Sequence, residues 1–123
     1  MLEAYSLNVT VAANTNIPFN STSVEKGCTA TRVAPDTFAL NKCGVYMVSV
    51  DVSTTTSTTI QLYKDGVAQP QAQSTGLSPS FVTLVQVPNN NSCCPCSSAT
   101  NIQIRNTVAG TLTDANIIIT KVA

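Results

Sequence analysis

Histidine and tryptophan are absent from this chain of 123 residues. Without histidine there is no imidazole base, no Ser-His or Cys-His nucleophile pair and no imidazole metal site, which removes most familiar hydrolase chemistry. Charge is scarce as well: six basic and six acidic side chains make up 10% of the residues, against ~25% in an ordinary soluble domain. The cations Lys26, Arg32, Lys42, Lys64, Arg105 and Lys121 stand singly. No basic stripe exists to neutralise a run of phosphates, so nucleic acid is not an expected partner. The five glycines are dispersed and form no phosphate-cradling loop. The six aromatic residues (Tyr5, Phe19, Phe38, Tyr46, Tyr63 and Phe81) provide no stacking platform for bases or sugars, although Tyr63, beside Lys64 and expected to face outward, can touch a ligand. No apolar run reaches the ~18 residues of a membrane span, and no basic-then-apolar leader precedes the first strand-like residues. The expectation is a product made in the cytoplasm, with no membrane partner and its thiols reduced when it folds.

What is abundant is hydroxyl and amide. Thr, Ser and Asn together form about a third of the chain, interleaved with Val, Ile and Leu at a spacing of two. In YSLNVTVAA, Tyr5, Leu7, Val9 and Val11 read as one inward face of a strand, and Ser6, Asn8 and Thr10 as the other. GVYMVSVDV places Tyr46, Val48, Val50 and Val52 together; TIQLY supplies Ile60 and Leu62; NIQIRN supplies Ile102 and Ile104. FVTLVQV aligns Phe81, Val85 and Val87 but puts Val82 and Leu84 on the opposite side, and ANIIITKV is apolar on both sides. A strand apolar on both faces lies between two packed surfaces. Turn chemistry punctuates these runs at Pro35-Asp36, Asp65-Gly66, Gly76, Pro88-Asn89 and Ala109-Gly110. No window has a helical period, and nothing divides the chain. It reads as a single all-β domain over residues 1–123, a sandwich or jelly roll of about eight to ten antiparallel strands.

Two features carry candidate chemistry. The first is the set of six carboxylates, Glu3, Glu25, Asp36, Asp51, Asp65 and Asp114. They show no pairing of the kind a glycosidase needs and read as solvated surface, Asp51 lying on the outward side of an apolar strand. The second is cysteine: Cys28, Cys43, Cys93, Cys94 and Cys96, the last three inside NNNSCCPCSSAT. If Pro35-Asp36 centres a tight turn, Val33 pairs with Phe38 and Thr31 with Leu40, which brings Cys28 opposite Cys43 as a candidate cross-strand pair. A one-residue slip separates them. Four thiolates drawn from Cys28, Cys43 and two of Cys93, Cys94 and Cys96 would make a closed zinc site, but the usual ligand spacing is missing. The competing reading is a polar loop of free thiols, with no cofactor at all.

NKCGVYMVSVDV followed by IQLYKDGVAQPQAQS resembles the jelly-roll heads of the complement-type and tumour-necrosis-factor-like superfamily, most of all the C-terminal heads of collagen-like spore-surface glycoproteins of bacteria. Phe38 stands ahead of Gly44-Val45-Tyr46, Ile17-Pro18-Phe19 looks like the early Pro-Phe segment, and Ile104-Arg105-Asn106 and Thr111–Lys121 are similar to the last strand pair. The resemblance implies a TNF-like sandwich assembled as a homotrimer, with Phe19, Phe38, Tyr46, Val48, Val50, Ile102, Ile104, Ile117 and Ile119 packing the core or the subunit contact. It also makes residues 89–100 a Cys-rich insertion at a hairpin tip. The expected role is a non-enzymatic structural protein of a particle surface: a bacteriophage capsid decoration or head-fibre trimer on the virion, made in the host cytoplasm, with itself and other capsid or surface proteins as partners. The alternative is a spore-coat or cell-surface adhesin head of a bacterium that binds glycans or a host receptor.

Overall fold

In the computed structural model, which describes residues 1–88 and 100–123, the period-two pattern is realised as eleven strands. In chain order these are β1 (Leu2–Val11), β2 (Thr15–Asn16), β3 (Ser21–Glu25), β4 (Ala30–Ala34), β5 (Thr37–Leu40) and β6 (Gly44–Thr54), then β7 (Thr58–Lys64), β8 (Val67–Gly76), β9 (Ser80–Val87), β10 (Thr100–Asn106) and β11 (Gly110–Lys121). They form two antiparallel sheets. The first runs β3-β1-β11-β6-β9 and the second β4-β5-β10-β7-β8, with the two-residue β2 adding to β10. The count exceeds the expected eight to ten because β2 is a short bridge and because β8, rich in Gln and interrupted by Pro70, is also a strand. An edge is where a strand tolerates proline, since one row of its N–H groups has no ladder partner to lose.

The sheets stack with their apolar faces together. Phe19, Phe38, Tyr46, Val48, Val50, Ile102, Ile104, Ile117 and Ile119 all lie in this layer, none more than 1% exposed. Being enclosed within one protomer, they pack the core and are not available to a subunit contact. The Phe19 and Phe38 rings meet at 5.7 Å between centroids in a tilted pair, and truncating either to alanine in such a setting costs about 3–5 kcal/mol. Two polar groups that enter the core are satisfied there. Ser6 Oγ donates to Pro18 O and accepts from Asn20 N, both at 2.7 Å, which ties the Ile17–Asn20 segment to β1. Tyr46 sends its ring into the core, while its hydroxyl donates to Lys42 O at 2.8 Å and lies 3.2 Å from Thr29 O. That hydroxyl clamps the approach to β6 against the approach to β4.

Three expectations need correction. In β1 the inward residues are Leu2, Ala4 and Ser6, whereas Tyr5 and Leu7 face outward. Asn8 adopts a left-handed backbone (φ 53), which resets the alternation so that Val9 and Val11 return to the core side. In the β4–β5 hairpin a bulge between Arg32 and Ala34 absorbs Val33, so Thr31 pairs with Ala39 and Ala30 with Leu40. Continued outward, that register places Cys28 opposite Lys42, not Cys43. Finally, β9 belongs to the first sheet and β10 to the second. The two strands are therefore not paired with each other, and the expected insertion at 89–100 lies, apart from Thr100, outside the described residues.

Candidate self-association face

The first sheet has one face in the core and one turned outward, and the outward face is unusually apolar. On β9 strict alternation sends Thr83, Val85 and Val87 inward, so Val82 and Leu84 must point out; they are 65% and 60% exposed. Antiparallel register then builds rows across the sheet. Leu84 stands opposite Met47, and Met47 opposite Thr120. The next row runs Val82, Ser49, Ile118 and Glu3, and the one after it Ser80, Asp51, Asn116 and Tyr5. Leu7, 63% exposed, closes the series opposite Asp114. Neighbours along each row sit ~4.5–5.5 Å apart, so Leu84, Met47, Val82 and Ile118 form one continuous patch at the β9–β6–β11 side, with Tyr5 and Leu7 beyond it.

Charge on this face is of one sign. Glu3, Asp51 and Asp114 are its carboxylates among the rows described, and Glu3 is already engaged, accepting from Ser23 Oγ at 2.7 Å and Asn116 Nδ2 at 3.3 Å. A surface that leaves Leu, Val and Met in water next to uncharged Ser, Thr and Asn gains by meeting a second surface of the same kind. Gly44 explains how the lower edge closes. Its backbone is left-handed (φ +140), and a Cβ there would stand 2.4 Å from Ala123 O and 2.7 Å from Lys121 Cε. Only glycine lets the last residues lie against β6, where Val45 N donates to Ala123 O and Val122 N donates to Val45 O.

The other predicted site residues do not converge. Cys43 is disulfide-bonded, while Cys28 is a free, exposed thiol. The pairing of Cys28 with Cys43 is therefore not made, for the register reason given above. A sulfur held in a disulfide offers no thiolate, so a four-thiolate zinc set using both Cys28 and Cys43 is not assembled either. Cys93, Cys94 and Cys96 fall outside the described residues. The carboxylates are spread over both sheets, and among the described residues no three of His, Cys, Asp or Glu come together as a metal cluster.

No family model and no curated protein matches the sequence. Solved structures do match the fold. The globular domain of zebrafish complement 1qA superposes with a TM-score of 0.78 at 10% identity, covering 99% of this chain and 96% of that one. PRD1 vertex protein P5 superposes at 0.69 with 14% identity over 99% and 96%, and rabbit GITRL at 0.63 with 11% identity over 100% and 95%. The fold is that of the TNF-like jelly-roll heads. In this head the residues that sequence reasoning did not assign to any site are Met47, Val82, Leu84 and Ile118, together with the outward Tyr5 and Leu7. Their signal was already present as strands apolar on both sides, FVTLVQV and NIIIT, whose second face needed the sheet order before it could be placed.

Proposed function

We propose that this jelly-roll head is a non-enzymatic structural protein of a particle surface that assembles as a homotrimer through the outward face of its first sheet. The observation that carries the reading is the patch of exposed Leu84, Met47 and Val82 with half-buried Ile118 on the face opposite the core. Closed three-fold assembly buries that patch on every copy and leaves no copy with an open one. The absence of histidine and the dispersal of the carboxylates support a role without catalysis. The similarity to a phage vertex protein supports placing the assembly on a virion, as a capsid decoration or head-fibre trimer whose other partners are capsid proteins. A bacterial spore or cell-surface head would share the assembly and differ in the surface beneath it. The test is mass spectrometry and immunogold labelling of virions and of cell or spore surfaces from the source culture. Copies in multiples of three on purified virions are expected; a protein confined to the cell or spore surface would overturn the virion placement.

A further inference from the structure

The second sheet turns a face of the opposite character outward, and it is not explained by assembly. Its centre is Arg105 on β10, whose guanidinium carbon lies 4.0 Å from the centroid of the Tyr63 ring on β7. Arg105 is flanked in register by Asn16 of β2 on one side and Gln61 of β7 on the other, and Gln61 by Gln73 of β8. In the adjacent row Gln103 stands opposite Tyr63. The amides are oriented: Gln61 Nε2 donates to Gln69 O at 3.3 Å and Gln103 Nε2 donates to Thr37 Oγ1 at 2.8 Å. Each of these two thus spends a donor within the protein and keeps its carbonyl oxygen for something else. Asp36 is also engaged, accepting from Thr37 Oγ1 at 3.0 Å and from Asn16 Nδ2 at 3.5 Å.

Arg105 is the exception. Among the described residues it has neither a carboxylate partner nor a hydrogen bond; its Nε is buried without an acceptor, and Asn16 Oδ1 beside it is buried without a donor. A guanidinium fixed in place by an aromatic ring, with its hydrogen-bonding capacity unspent, is prepared for an anion that accepts in a fork. A ring of amides around it, each with an acceptor or donor to spare, matches vicinal hydroxyls. We propose that this face binds an acidic saccharide, its carboxylate on Arg105 and its hydroxyls on the Gln61, Gln73 and Gln103 amides, with the Tyr63–Arg105 stack as the platform. A bare carboxylate would leave the amides unused and a neutral sugar would leave Arg105 unpaired. The site is on the sheet opposite the self-association face and does not depend on it. It is open and shallow, so each copy binds weakly.

The experiment is a ¹⁵N–¹H NMR titration of the intact protein with sodium glucuronate, and separately with sodium acetate and glucose. Glucuronate is expected to shift the Arg105 side-chain resonance and the Gln61, Gln73 and Gln103 amides in one saturable process, about tenfold tighter than either control, because glucose lacks the charge-assisted fork and acetate lacks the hydroxyl hydrogen bonds. Arg105→Gln should weaken glucuronate about tenfold or more, and Arg105→Lys, which keeps the charge and loses the fork, should also weaken it. Gln73→Ala, on an edge strand that packs little, should weaken it without affecting folding, and Gln86→Ala on the first sheet should leave it unchanged. Acetate binding as tightly as glucuronate, glucose binding as tightly, shifts that never saturate, or unchanged binding in Gln73→Ala would each overturn the proposal.

Discussion

Replacing Leu84 by aspartate separates the assembly from the fold. In the protomer Leu84 is 60% exposed and Val82 65%, so a polar side chain at position 84 changes monomer stability little, within about 0.5 kcal/mol for a surface site. In the proposed assembly the same position lies within the covered patch, on the edge strand β9. Fully burying a leucine or valine stabilises by about 1.5–3 kcal/mol, so covering the remaining three-fifths of Leu84 contributes about 1–2 kcal/mol. An aspartate there loses that contribution and adds several kcal/mol of carboxylate desolvation, on a face that already carries Asp51 and Glu3. Three copies enter each trimer, so the total penalty is on the order of 10 kcal/mol or more, enough to dissociate it at micromolar concentration. Sedimentation equilibrium of wild type and Leu84→Asp, with urea melts of both, reads this directly. The expected result is a wild-type trimer and a folded Leu84→Asp monomer. A folded Leu84→Asp protein that still sediments as the wild type does, or a wild type that is monomeric at high concentration, refutes the assignment of this face.

Other outcomes follow from single groups. Tyr46→Phe keeps the ring in the core but strands the Lys42 and Thr29 carbonyls; chemical denaturation should show a loss of about 1–2 kcal/mol, and no loss would mean that the hydroxyl clamp is inert. Gly44→Ala forces a Cβ against Ala123 O and should release the C-terminal residues from Val45, read as lost amide protection at Val122 and Ala123 in hydrogen exchange. Iodoacetamide applied to native, unreduced protein should label Cys28 and leave Cys43 unlabelled, with peptide mapping identifying the sulfur bonded to Cys43. Cys43→Ser should then lower stability by about 2–4 kcal/mol while Cys28→Ser leaves it unchanged.

Much of the sandwich was legible because alternation of period two is unambiguous where one face is polar. In β10 the hydrophobic set and the polar set are cleanly separated, in β6 the apolar side is the longer run, and Tyr46, Val48, Val50, Ile102 and Ile104 went to the core as read. It was ambiguous in β1, where Leu2 and Ala4 compete with Tyr5 and Leu7, and the choice between them depends on the left-handed turn at Asn8 and on Ser6 finding two partners near Pro18. Pairing registers were harder. A bulge at Val33 costs the sequence nothing visible, because Val33 is simply moved to the surface at 60% exposure, yet it shifts Cys28 away from Cys43. The sheet to which a strand belongs is a property of long-range pairing. That is why β9 and β10 read locally as hairpin partners and turn out to belong to different sheets.

The outward faces of the two sheets give the head a direction. Leu84, Met47, Val82 and Ile118 lose water-exposed apolar area on assembly, whereas Arg105, Gln61, Gln73 and Gln103 would lose hydrogen bonds to water without finding partners, so burial favours the first sheet and opposes the second. An assembly closed on the first sheet therefore presents the second sheet outward, three times, around its girth. Three shallow sites on one rigid body convert weak single contacts into firm attachment to a polysaccharide that spans them, with no new contact required. The prediction is asymmetric. Leu84→Asp should leave the affinity of each Arg105 site for glucuronate unchanged while abolishing retention on an immobilised acidic polysaccharide, whereas Arg105→Gln should weaken both and leave the trimer intact. If the Leu84→Asp monomer is retained on the immobilised polysaccharide as well as the wild type, trivalent display is refuted.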